Sequence, residues 1–158
     1  MRARITALAA VAALTVLGFF QAQRASQKPR ACDFCQREVC QGAEYTVHLS
    51  LGRTKHACCP RCGIRYEKEH PGAVRTTSVQ DFATGKEVPA QQATYVEASD
   101  FAHCNPGEIV RDQTGSCFTL CYDRCMPSVV AFGDRKSAEE FASVHGGKLG
   151  RFDELRRE

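Results

Sequence analysis

Residues 45–51, "YTVHLSL", alternate in character: Tyr45, Val47, Leu49 and Leu51 are apolar, while Thr46, His48 and Ser50 are polar. A two-residue period is that of a strand with one face buried. Gly52 marks a hairpin turn, and "TKHAC", 54–58, returns as a second strand. Pro60 opens a helix that runs to about Glu69 and stops at "HPG". "AVRTTSVQDF", 73–82, predicts a third strand. The order then recurs: "TYVEA", 94–98, and "PSVVAF", 127–132, predict strands, and Asp134 predicts the cap of a helix from Arg135 to His145. Ala138, Phe141, Ala142 and His145 share one side of that helix, Gly146 and Gly147 end it, and "KLGRF" is a last short strand.

The two helix ends match in detail. Tyr66 and His70 are four apart, as are Phe141 and His145, and a glycine lies two residues after each histidine. These features predict an α+β fold of two small related strand-strand-helix-strand units, each helix covering one sheet face. The chain divides into a leader with its flank at 1–30, a cysteine-rich metal-binding unit at 31–83 and a linker at 84–92. A second unit at 93–158 carries a cysteine-rich loop insertion at 103–126.

The leader changes how the charge is counted. Arg2 and Arg4 precede "ITALAAVAALTVLGFF", 5–20, a run without a charge. It reads as an export signal or a short membrane anchor; a spanning helix wants about 20 apolar residues, so length leaves the two open. Either one implies a periplasmic or other extracytoplasmic location, with inner-membrane anchoring in the second case. The whole chain is +3, but residues 1–30 hold five Lys or Arg and no acid. The remainder has 16 basic against 18 acidic residues, a net −2, so no nucleic-acid footprint is expected.

Ten cysteines in 158 residues, with no tryptophan, point to thiols or metals as a source of stability. Cys32, Cys35, Cys58 and Cys62 form C-x2-C-x22-C-x3-C, with the second pair at the start of the first helix. A knuckle facing a helix start can gather four sulfurs about one soft ion, and helix-terminal N–H groups stabilise thiolates. Cys40 and Cys59 stand outside that pattern: either can replace a ligand, or the two can pair as a disulfide. Cys59-Pro60-Arg61-Cys62 also has the spacing of dithiol exchange.

In the second unit, Cys104 is followed by Cys117, Cys121 and Cys125 at a spacing of four, which on a helix would align the last three. His103 and Met126 are further donors. Thiolate with thioether favours Cu(I), and Zn(II) or Hg(II) also suits. Two disulfides pinning a long loop are the alternative, since four cysteines allow three pairings. His48 and His56 read as surface residues, and His70 and His145 as helix-end residues that satisfy carbonyls. Asp33, between two thiols, reads as tuning charge. No acid–base pair stands out as catalytic.

"DFATGKEVPAQQATYVEASDF", 81–101, and "PSVVAFGDRKSAEEFASVHGGKLGRFDEL", 127–155, resemble the accessory protein of nitrous oxide reductase, the NosL family. The resemblance extends over roughly 43–155 and is weakest across the inserted loop. It implies two related α/β units and a membrane-tethered or exported carrier that delivers Cu(I) to a copper enzyme without being a catalyst. The chain departs from the family's pattern in two places. "CDFC" stands near the family's early Cys-Gly-Met motif with no methionine after it, and "CMPS" replaces a "PMG"-like segment, so Met126 carries that role over. Cys32, Cys35, Cys58 and Cys62 also resemble the small cysteine-rich TRASH domains of metal sensing and trafficking.

The expected function is therefore an exported soft-metal-binding protein, a copper(I) carrier or assembly factor that passes its ion to a recipient metalloprotein or assembly factor by thiolate exchange. A thiol-disulfide oxidoreductase using Cys59 and Cys62, or a disulfide-stapled interaction module, stands against it.

Overall fold

The structure is a computed structural model that describes residues 30–39, 42–101, 109–111, 113–114, 117–119 and 125–157, with backbone only at 109–111 and 117–119. In the first unit, β1 (Tyr45–Leu49) lies between β2 (Thr54–Ala57) and β3 (Val74–Gln80), and β4 (Glu87–Pro89) extends the antiparallel sheet beyond β3. Helix α1 (Pro60–Glu69) covers one face. Tyr45, Val47 and Leu49 point to that side and are buried, as their alternation requires.

In the second unit, β5 (Thr94–Glu97) lies between β8 (Val129–Phe132) and β9 (Lys148–Arg151), again antiparallel. Helix α2 (Arg135–His145) connects β8 to β9. The sheet orders β2-β1-β3 and β8-β5-β9 are the same topology: the first strand is central, and the helix links its two neighbours. The predicted α+β duplication is thus present in the strand order. A hairpin of β6 (Ile109–Arg111) and β7 (Cys117–Thr119) is inserted between β5 and β8.

The units share a core. Tyr45, Val47, Ile64 and Val79 from the first pack in one buried cluster with Tyr95, Val129 and Ala131 from the second. A last helix, α3 (Phe152–Arg157), contributes Phe152 and Leu155 to that cluster. Arg61 on α1 pairs with Glu97 on β5 and donates from Nε to the Pro127 carbonyl at 3.1 Å. The Phe82 N–H donates to the Ala131 carbonyl at 2.8 Å. A second cluster lies under α2, where Phe82, Phe101, Phe132 and Phe141 meet mostly edge to face.

Four local expectations are revised. Leu51 does not continue the buried face of β1: the register shifts between His48 and Leu49, the Gly52 N–H closes a turn on the Leu49 carbonyl, and Leu51 is 91% exposed at its tip. Residues 84–92 are more than a connection, since they hold β4 and a 3-10 turn, Ala90–Gln92. Cys117 begins a strand rather than a helix. The α3 helix was not foreseen after "KLGRF"; Asp153 and Glu154 in its first turn and Arg156 and Arg157 in its last complement its dipole.

The matched helix ends behave alike in part. Tyr66 stacks on His70 at 4.2 Å and Phe141 on His145 at 4.4 Å. His70 Nδ1 reaches the Tyr66 carbonyl at 3.1 Å, as a helix-end residue should. His145 Nδ1 instead meets Asp100 Oδ1 at 2.9 Å, while the Asp100 N–H donates to the His145 carbonyl.

Candidate metal centre

The first ligand pair sits in a tight turn. The N–H groups of Phe34 and Cys35 both donate to Cys32 Sγ at 3.4 Å, a pattern that steadies negative charge on that sulfur. The turn is tied to β2 from both sides: the Asp33 N–H donates to the His56 carbonyl at 2.8 Å, and Asp33 Oδ2 accepts the His56 N–H at 2.6 Å. Asp33 therefore holds the knuckle against the strand. His56 is not a loose surface group, since its Nδ1 lies 2.5 Å from Glu44 Oε1, which Arg30 also contacts.

The second pair is set by the strand-to-helix junction. Cys58 follows β2, Cys59 is the residue that caps α1, and Cys62 lies in the first turn. Cys59 has an extended backbone, φ −159° and ψ 162°, and makes no side-chain capping hydrogen bond. The sixth sulfur comes from the far unit. Cys125 precedes β8, and the Arg61 bond to Pro127 ties its segment to the N-terminal end of α1.

Cys58 is the hub. Its Sγ lies 3.3 Å from that of Cys35, 3.6 Å from Cys125, 3.8 Å from Cys62 and 3.9 Å from Cys59. Cys62 and Cys125 are 3.6 Å apart. A disulfide requires about 2.0 Å, and none of the six described sulfurs in the cluster is in one. A tetrahedron with metal–sulfur bonds of about 2.3 Å has edges of about 3.8 Å, so the observed separations suit thiolates around a soft cation. Two sets of four lie mutually within 4.8 Å: Cys32, Cys35, Cys58 and Cys62, and Cys58, Cys59, Cys62 and Cys125. Cys35 is half-buried and the other five are buried.

Six clustered sulfurs cannot all be ionised without a cation. Hydrogen bonds from Cys58 and Cys62 pull the Cys32 thiol far below its usual value, outweighing its burial. Cys62 is pushed up, chiefly through its contacts with Cys125 and Cys32, and burial raises Cys35. Binding an ion to such a cluster releases protons from its thiols.

One opening reaches the cluster at Cys62. A cavity of about 270 Å3 is lined there by Asp33, Phe34, Lys55, Tyr66 and His70, among others. Phe34 and Tyr66 pack at 4.6 Å, and Lys55 Nζ lies 5.4 Å from each ring centroid.

Of the residues proposed from sequence, Cys32, Cys35, Cys58, Cys62, Cys59 and Cys125 converge. The expected separation of Cys125 into a loop site does not hold for its placement, because its sulfur contacts Cys58 and Cys62. Met126 is buried beside it in the chain. Cys117 is placed by its backbone alone, and Cys40, His103, Cys104 and Cys121 lie outside the described residues. The joining of Cys125 to the first unit was missed because 63 residues separate it from Cys62. Its position just before β8, the counterpart of β2, was the available hint.

No family model matches the chain, and no curated protein matches it. Among solved structures, the chain is similar to the crystal structure of the copper chaperone NosL from Shewanella denitrificans. The match has a TM-score of 0.58 at 20% identity and covers 82% of this chain and 93% of that one. The two share a fold, as the sequence resemblance implied.

Proposed function

We propose that this chain is an exported soft-metal-binding protein, a Cu(I) carrier or assembly factor that hands its ion to a recipient metalloprotein by exchange of thiolate ligands. The convergence of cysteine sulfurs on Cys58, at separations of 3.3–3.9 Å, carries the proposal. Sulfur-only donor sets select soft ions such as Cu(I) and also accept Zn(II) and Hg(II). The shared fold with a protein described as a copper chaperone supports copper as cargo and an accessory rather than catalytic role. The apolar run at 5–20 supports export; among the described residues no helix is long and apolar enough to cross a membrane.

Exchange requires an incoming sulfur to reach the ion, and the half-buried Cys35 supplies that approach. Dithiol exchange with a protein substrate is less well served. It needs an approachable sulfur, and Cys59 and Cys62 are 4% and 3% exposed.

The test is Cu(I) loading of the full chain under argon, followed by competition with a chromogenic Cu(I) chelator and transfer to a metal-free acceptor protein. Submicromolar binding that thiol alkylation abolishes, with transfer slowed by Cys35→Ser, is expected. Absence of tight Cu(I) binding by the reduced protein would refute the reading.

A further inference from the structure

We infer that the thiol cluster is binuclear: it takes two soft d10 ions, held by two sets of four sulfurs that share Cys58 and Cys62. This rests on the soft-metal reading above. Cys32 and Cys35 complete the outer set, and Cys59 and Cys125 complete the inner one.

A single tetrahedral ion uses four sulfurs, and the cluster contains six. With one ion in the outer set, Cys59 and Cys125 would be left as thiols, each 4% exposed, against ionised sulfur. Buried free cysteines are common as small apolar residues. These two, however, both contact Cys58, and Cys125 contacts Cys62 as well, the two sulfurs that the outer set already uses. The shared pair is 3.8 Å apart, which is the edge expected where two sulfur tetrahedra meet.

Charge favours the same arrangement. A thiolate that bridges two cations is neutralised from both sides. A second divalent ion and the two further thiolates that bind it add charges that cancel, so the buried centre gains no net charge. The two positions differ in access. The inner set is wholly buried, while the outer includes the half-buried Cys35. The outer ion therefore exchanges first and the inner one holds the two units together.

The probe is 113Cd(II), added without air to the reduced full chain carrying Cys40→Ser, Cys104→Ser, Cys117→Ser and Cys121→Ser, with the unmodified chain in parallel. Native mass spectrometry is expected to show saturation at two ions per chain, and 113Cd NMR to show two resonances coupled through shared sulfurs. The double variant Cys59→Ser/Cys125→Ser should bind one ion and lose the coupling, and a chelator should strip one of the two original ions faster. Saturation at one ion, or two resonances without coupling, overturns the binuclear centre while leaving the carrier reading intact. Binding of no ion overturns both. Coupling between two resonances in the unmodified chain decides the question even where a variant fails to fold.

Discussion

Gly63→Ala isolates the contact that seats α1 and its cysteines. A methyl group placed on Gly63 would lie 2.5 Å from Cγ and 2.7 Å from Cε1 of Tyr45, and closer still to Cδ1. Ordinary carbon contacts are about 3.5–4.0 Å, so ring and helix must part by roughly 1.5 Å. The ring cannot swing aside: Tyr45 is fully buried, and its hydroxyl donates to Glu67 on the same helix. Two effects compete. Alanine improves helix propensity by about 1 kcal/mol, while overpacking of this kind costs about 1–3 kcal/mol. Burial of Tyr45 puts the cost near its upper end, giving a net loss of about 1–2 kcal/mol.

Urea unfolding of the reduced, metal-free protein measures that loss as a lower midpoint at unchanged slope. Gly150→Ala is the control, since its new methyl would meet nothing closer than Glu154 Oε2 at 3.6 Å. Because Cys62 precedes Gly63, the displaced helix should also weaken ion binding, as ligand distances tolerate only about 0.2 Å. In a Tyr45→Ala background the Gly63→Ala penalty should vanish, which a double-mutant cycle reports. A Gly63→Ala protein as stable as the parent, with unaltered ion affinity, would refute the close packing of α1 on β1.

Three further outcomes are expected. Arg61→Met breaks the pair with Glu97, in which each side chain keeps 12% exposure, and should cost about 2–4 kcal/mol in urea unfolding, just under the value for a wholly buried pair; Arg61→Met with Glu97→Gln should recover part of it. Tyr45→Phe removes the hydroxyl that donates to buried Glu67 and should cost about 1–3 kcal/mol. Burial, then the charges of Tyr95 and Glu67, raise the Tyr45 phenol, so its stabilising difference is full below the unfolded value of about 10 and fades as pH climbs above it; Tyr45→Phe should flatten that alkaline loss. Asp134 caps α2 by accepting from the Ser137 N–H at 2.9 Å, which lowers its carboxyl. Asp134→Ala should lower the melting temperature at neutral pH, and the difference should shrink as pH falls below about 4, through the depressed folded value.

The sequence by itself determined the local elements and grouped four of the cluster's six sulfurs. Alternation at 45–49, Pro60 at a helix start and the Asp134 cap are short-range signals, and each names an element that the fold contains. The recurrence of their order was enough to reveal the duplication, and Cys32, Cys35, Cys58 and Cys62 were grouped by spacing because hairpin and helix junction are both local. Leu51 was misplaced because β1 ends at Leu49, and the turn that the Gly52 N–H closes on the Leu49 carbonyl carries the next apolar residue of the alternation out to solvent. Only the tertiary structure decided where Cys125 belongs. Its partners are set by how α1 docks on the second sheet, through the Arg61–Glu97 pair and the shared apolar core. Contacts across more than 60 residues depend on packing between units, and periodicity along one segment carries no information about that.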